Sequence, residues 1–136
     1  MTLLEIINKL APLVEQNPKV HAMWLEGSYA TGKNHEGSDI DVWLDVDDST
    51  FDECIDDFRN KLKTIVEIES ESSRGVYSSE PRLTKQTFVL EGFADGQDIE
   101  LDLQEHSRKF VFSRKEHVIK VLFDKDHTIR WRDQLS

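Results

Sequence analysis

From Asp39 to Val46 the chain reads DIDVWLDV, and no other stretch constrains the fold as much. Ile40, Val42, Leu44 and Val46 recur at every second position, which makes the segment a strand with one packed face. Asp39, Asp41, Trp43 and Asp45 then emerge on the opposite face. Asp39 and Asp41 fall roughly 6–7 Å apart along such a strand. Carboxylates at that spacing repel each other unless water screens them or a cation lies between them. A hard divalent cation suits the pair, because magnesium is held by one or two carboxylates and completes its shell with phosphates and water.

Upstream, Val20 to Leu25 is short and nearly all apolar, a buried strand, and Gly27-Ser28 follows where a helix can begin. Glycine lets backbone approach a ligand closely, free N–H groups attract anions, and a serine hydroxyl adds a donor. A triphosphate gripped there and at Asp39 and Asp41 is placed for displacement at phosphorus. Ser38 and Lys33 are further candidate phosphate contacts, each equally readable as an ordinary turn or solvated loop residue. Glu26 is expected to point away from the phosphates, Asp45 to lie too far along to reach the metal, and Trp43 to pack.

A third carboxylate is expected from "DIELDL". Ile99, Leu101 and Leu103 face one way there, and Asp98, Glu100 and Asp102 the other. Glu100 or Asp102 reaches the same metals if this strand lies beside the Asp39 strand. Two metals roughly 4 Å apart then activate an incoming hydroxyl and stabilise departing pyrophosphate.

The remaining elements follow from periodicity. Residues 3–16 read as an amphipathic helix containing Pro12 and ended by Asn17-Pro18. Thr50-Phe-Asp-Glu53 reads as a capping box opening a helix through Phe51, Cys54, Ile55, Phe58 and Leu62. Residues 65–69 suggest a strand and 69–81 an exposed loop, with Tyr77 a candidate to stack on a base. Residues 83–93 and 99–103 flank Asp95-Gly96 as a hairpin. Ser113 to Leu122 reads as a helix opened by Ser113-x-x-Glu116, and the remainder as a short strand, a turn at 124–126 and a tail. The expected class is α/β, a small mixed sheet flanked by helices, in one domain over 1–136.

Composition narrows the function. Seventeen Lys and Arg against 27 Asp and Glu give a formal charge of −10, which opposes duplex nucleic acid as a partner. Cys54 stands alone, so no internal disulfide forms, and it is read as a small core hydrophobe. His21, His35, His106, His117 and His127 share no metal-ligand spacing, which argues against zinc. No membrane-spanning run or leader pattern is present, so the expected location is cytoplasmic.

Gly27-Ser28, ten residues, then Asp39-Ile40-Asp41-Val42, with a later acidic strand, resembles the signature of the nucleotidyltransferase superfamily with the polymerase-β-like fold. "GSYATG…GSDIDV" resembles its antibiotic-modifying and minimal branches, and "FADGQDIELDL…VIKVLFDKDHTI" resembles aminoglycoside 6-adenylyltransferases. The resemblance implies that Gly27 and Ser28 hold the triphosphate and that Asp39 and Asp41 coordinate Mg²⁺ or Mn²⁺. Counted from the hairpin turn, Glu100 takes the family's third acidic position; by residue type, Asp102 fits it. That acid often also serves these families as general base. The antibiotic-modifying relatives carry a helical second domain that helps bind acceptor. This sequence is therefore expected to be either a fragment of a longer enzyme or a compact single-domain relative, and acceptor binding is the less defined half.

The expected activity is transfer of AMP from ATP to a hydroxyl of a small molecule such as an aminoglycoside-like antibiotic, with pyrophosphate released. The alternatives are a minimal nucleotidyltransferase antitoxin modifying a helical protein partner, and a non-catalytic nucleotide- or partner-binding module. A homodimer is compatible with each.

Overall fold

The structure is a computed structural model and describes residues 1–35, 37–94 and 96–135. Helix α1 (Leu3–Glu15) leads into strand β1 (Val20–Glu26), the single-turn α2 (Ser28–Thr31) and strand β2 (Ile40–Val46). Helix α3 (Phe51–Leu62) precedes β3 (Ile68–Glu71), β4 (Gly75–Val76), β5 (Leu83–Leu90) and β6 (Ile99–Glu105). Short strands β7 (Val111–Phe112), β8 (Lys120–Asp124) and β9 (Arg130–Trp131) complete the chain.

The main sheet runs β3-β5-β6-β2-β1-β8, with β4 added beside β5. Only β2 and β6 pair in parallel within it, and the remaining pairs are antiparallel. This mixed sheet, with helices α1 and α3 on one face, is an α/β architecture. Ile40, Val42, Leu44 and Val46 of β2, Ile99, Leu101 and Leu103 of β6 and Met23 and Leu25 of β1 meet the apolar stripes of both helices in one core. That face consumes every second residue of the central strands. The alternate residues stand on the other face, where the candidate site lies.

Part of that second face is covered by the C-terminal segment. Ala22, Trp24 and Phe112 are buried there, with Trp43, Phe110, Ile119, Ile129 and Trp131 packed around them. Phe112 meets Trp24 edge-on at 5.8 Å, and Trp24 stacks on Trp43 at 5.9 Å. The short parallel pair β7–β9 carries these aromatics onto the sheet.

Three expectations are corrected. Residues 113–122 are not a helix: Ser113 to His117 close a turn through Glu116 N–H and His117 N–H bonds to the Ser113 carbonyl, and 120–124 form β8 against β1. The run Val118, Ile119, Val121 is β-branched, and the edge of β1 offers an unpaired ladder, so pairing wins over local helix signals. The capping box at Thr50 does not form, because its hydroxyl donates to the Asp47 carbonyl instead. A true box closes at the start of α1, between Thr2 and Glu5. Finally, the strand expected at 65–69 is displaced to 68–71, and a two-residue strand interrupts the serine-rich loop. Strands β5 and β6 do pair antiparallel; of the expected turn pair, Asp95 lies outside the described residues. Among the described residues no helix is long and apolar enough to cross a membrane.

Candidate active site

The register of four strands builds the site in two rows. In the first, Glu26 of β1 is opposite Asp41 of β2, Asp41 is opposite Glu100 of β6, and Glu100 is opposite Thr87 of β5. In the second, Trp24, Trp43, Asp102 and Lys85 align in the same order. Paired residues project to the same face. Glu26, Asp41 and Glu100 therefore occupy neighbouring positions in one row, and Asp102 stands beside them in the next. Asp39 joins just before β2, where its Oδ1 accepts the Asp98 N–H at 3.1 Å.

The cluster is short of positive charge. Asp41 is pushed up from an ordinary 3.8 to about 7, by burial first, then by sharing a hydrogen bond with Glu100 and by the negative charges of Glu100, Asp102 and Asp39. Asp102 is pushed up to about 6, again by burial first; Lys85 opposes this, while Glu100 and Glu26 reinforce it. Lys85 Nζ lies 3.7 Å from Glu100 Oε2. One lysine facing this many carboxylates leaves room for a further cation, and carboxylate oxygens are the donor set that magnesium or manganese takes. The donor chemistry of Asp39, Asp41, Glu100 and Asp102 suits a divalent metal, although among the described residues the three-residue group whose ligand atoms already lie within 4.8 Å of one another is His21, Asp45 and His106.

Beside the row lies the glycine turn. Gly27 has φ +71° and caps α2, whose Ala30 and Thr31 N–H groups bond the Gly27 carbonyl. A side chain there would collide with the Asp41 carboxylate, so the backbone of the turn and the central acid are in direct contact. A cleft of about 260 Å³ opens at this point, lined by Glu26, Gly27, Thr31, Glu116, His117 and Val118. Strand–turn–helix geometry followed by paired acids on the next strand can hold a polyphosphate against metal-bearing carboxylates.

The other candidates separate. Ser38 is buried, and its Oγ accepts the His35 N–H at 2.9 Å, which is the turn role. Lys33 is exposed in the loop after α2. Glu26 accepts the Trp24 indole N–H at 2.9 Å, which turns its carboxylate onto the aromatic cluster although its backbone is opposite Asp41. Tyr77 lies on the exposed loop, and Arg82 Nε donates to Ser107 Oγ. Arg82 and Lys85 could each reach a substrate phosphate, though nothing in the sequence spacing demands it, and of the two it is Lys85 that aligns with the acidic rows. Its signal was the alternation of β5, which puts Lys85 and Thr87 on the acidic face once β5 pairs with β6.

An α/β sheet presenting a glycine turn and paired acids on adjacent strands defines a nucleotidyltransferase-type domain. The polymerase beta, nucleotidyltransferase family matches residues 8–117, most of the chain, and the chain belongs to that family. No curated protein matches it in a sequence search.

Proposed function

We propose that the protein is a metal-dependent adenylyltransferase, moving AMP from ATP to a hydroxyl acceptor and releasing pyrophosphate. The observation that carries this is the row Asp41–Glu100 packed against the Gly27 turn. Asp39, Asp41 and Glu100 would hold the metal, which would supply charge neutralisation at the phosphates and a more acidic acceptor hydroxyl. The chain's own residues do the remainder. The Gly27-Ser28 turn binds the polyphosphate, and Lys85 faces the outer edge of the acids, where it offsets their charge. Glu100, hydrogen-bonded to Asp41, is the group placed to receive the acceptor's proton. We assign the third acid to Glu100 rather than Asp102, because the parallel register sets Glu100 directly beside Asp41 and Asp102 beside Trp43.

The acceptor we propose is a polycationic small molecule of the aminoglycoside type. Residues 1–105, which contribute every strand of the acidic rows, contain nine Lys and Arg against 23 Asp and Glu. A field of that sign speeds encounter with a cation and repels nucleic acid. A protein acceptor has one specific observation in its favour. An open groove of about 710 Å³, lined by Leu3, Leu4, Tyr29, His35, Phe93 and Gln97, runs beside α2.

The test is thermal unfolding with ATP and Mg²⁺, separately and together, followed by transfer of α-labelled AMP to a panel of aminoglycosides. Stabilisation that needs both ligands and is lost in Asp41→Asn, with label on an acceptor, supports the reading. Absence of any shift with ATP, GTP, CTP or UTP leaves a binding module and overturns it.

A further inference from the structure

At the far end of β2 a second cluster assembles that the proposed reaction does not use. We propose that His21, Asp45 and His106 form a separate cation site, taking a borderline divalent metal such as zinc, cobalt or nickel. One ligand atom from each of the three lies within 4.8 Å of the others. Asp45 is 1% exposed and sits on β2; His21 is on β1, and His106 directly follows β6. Three adjacent strands of one sheet thus hold the three side chains, so the donors are positioned by rigid backbone.

The donor set selects the metal. Two imidazoles and a carboxylate suit zinc and its neighbours, whereas magnesium prefers oxygen alone. Asp47 offers a fourth donor, with its Oδ1 2.6 Å from His21 Nε2. The surroundings already orient the ligands in the way metal sites require. Gln104 Nε2 donates to Asp45 Oδ2 at 2.9 Å, which leaves Oδ1 facing His106 Nδ1 at 2.7 Å. Cation binding replaces that last hydrogen bond: His106 shifts to the tautomer protonated on Nε2, and its Nδ1 lone pair turns to the metal. The two atoms separate to about 3.3 Å, the edge of a tetrahedron with bonds near 2.0 Å.

Charge favours occupancy. Asp45, Asp47 and Asp126 surround the two rings, and among the described residues no lysine or arginine lies within 4.0 Å of their carboxylates. His21 and His106 stack with centroids 4.1 Å apart. Protonating both rings would balance two of the acids but would press like charges together. A single divalent cation brings the same charge with both rings neutral. Asp126, 3.8 Å from His21 Nδ1, belongs to the turn after β8, whose Lys125 N–H bonds the His21 carbonyl. The site would therefore clip the C-terminal segment to the sheet. It is distinct from the acidic rows, since Asp45 is four residues along the strand from Asp41, about 13 Å.

The test is a Co²⁺ titration of the metal-free full chain. It is followed by visible d–d absorption and by imidazole ring-nitrogen shifts, on wild type, Asp41→Asn and His106→Gln. We expect one equivalent that gives tetrahedral absorption and shifted nitrogens on His21 and His106. Any Co²⁺ at the acidic rows gives only the weak absorption of an all-oxygen site, so the outcomes are read on the tetrahedral band. Binding should persist in Asp41→Asn, weaken at least tenfold in His106→Gln, and yield to zinc but not to excess magnesium. Binding that survives His106→Gln, or vanishes in Asp41→Asn, overturns the proposal, as does absence of Co²⁺ binding. If His106→Gln does not fold, wild type loaded with diamagnetic zinc decides: a large coordination shift of one ring nitrogen on each of His21 and His106 supports the site, and its absence overturns it.

Discussion

The backbone of Gly27 lies against the carboxylate of Asp41, so closely that a methyl group at position 27 has no room. This contact joins the two halves of the candidate site, turn and acid, and makes the glycine a packing requirement as well as a conformational one. Gly27→Ala should cost about 1–3 kcal/mol, from its positive φ and from displacement of Asp41. It should also abolish the ATP–Mg²⁺ stabilisation. Gly32→Ala, with a similar φ of +76° and open space around it, should cost about 1 kcal/mol and keep the ligand response. Urea melts of both variants with and without ligand check this. Equal behaviour of the two would remove the special role of position 27.

The raised pKa of Asp41 makes a signed prediction for the metal-free protein. A carboxyl whose folded value lies above its unfolded value contributes stability that is complete below the unfolded value and lost as pH rises through the folded one. For Asp41 the window runs from 3.8 to about 7, and Asp102, raised to about 6, adds in the same direction. The loss attributable to Asp41 should be roughly 1–2 kcal/mol once solvent screening of a half-buried group is discounted. Asp41→Asn should flatten this part of the profile and raise stability at pH 8, while Mg²⁺ should do the same for wild type. Chemical unfolding from pH 4 to 8 reads both. A profile unchanged by the substitution would contradict the crowding of the acids.

Glu100 and Asp102 differ in their neighbours, and their variants should differ accordingly. Glu100→Gln removes the acid beside Asp41 and should lower AMP transfer by about 10²–10⁴-fold, the range for losing a general base. Asp102→Asn, beside Trp43, should lower it by about tenfold or less. Pyrophosphate release under saturating ATP measures the contrast, and a larger loss at Asp102 would reverse the assignment.

Lys85 is the cation that opposes the upward push of burial on the Asp102 carboxyl. Lys85→Met should shift the Mg²⁺-dependent stabilisation towards higher pH, because the acids then release their protons later, and should weaken ATP binding by about tenfold. Isothermal titration at pH 6 and pH 8 separates the two effects. Unaltered ATP affinity at both pH values would show that Lys85 acts only on its neighbouring acids.

Much of the architecture could be read from local patterns, because those patterns are local physics. Alternation in 39–46 decides which side chains face the core, so Asp39 and Asp41 had to share a face. Apolar spacing does the same for α1 and α3. The glycine turn was legible because the preceding strand and following acids leave it little else to do. Where reading failed, distant pairing overrode a local signal. Ser113-x-x-Glu116 promised a helix, but β1 presented an open edge and the β-branched run paired with it. Thr50 carried a capping sequence, yet its hydroxyl found the Asp47 carbonyl.

Sequence alone determined the acidic pair at the start of β2, the turn before it and the division of each central strand into a packed and a polar face. These follow from the two-residue period of a strand. Tertiary structure set Glu100 beside Asp41 and Asp102 beside Trp43, because the parallel register of β2 and β6 is set by burial of Ile99, Leu101 and Leu103 against a shared core. It likewise brought His21 within stacking distance of His106. No spacing along a chain encodes that meeting, since it depends on three strands lying side by side in one sheet.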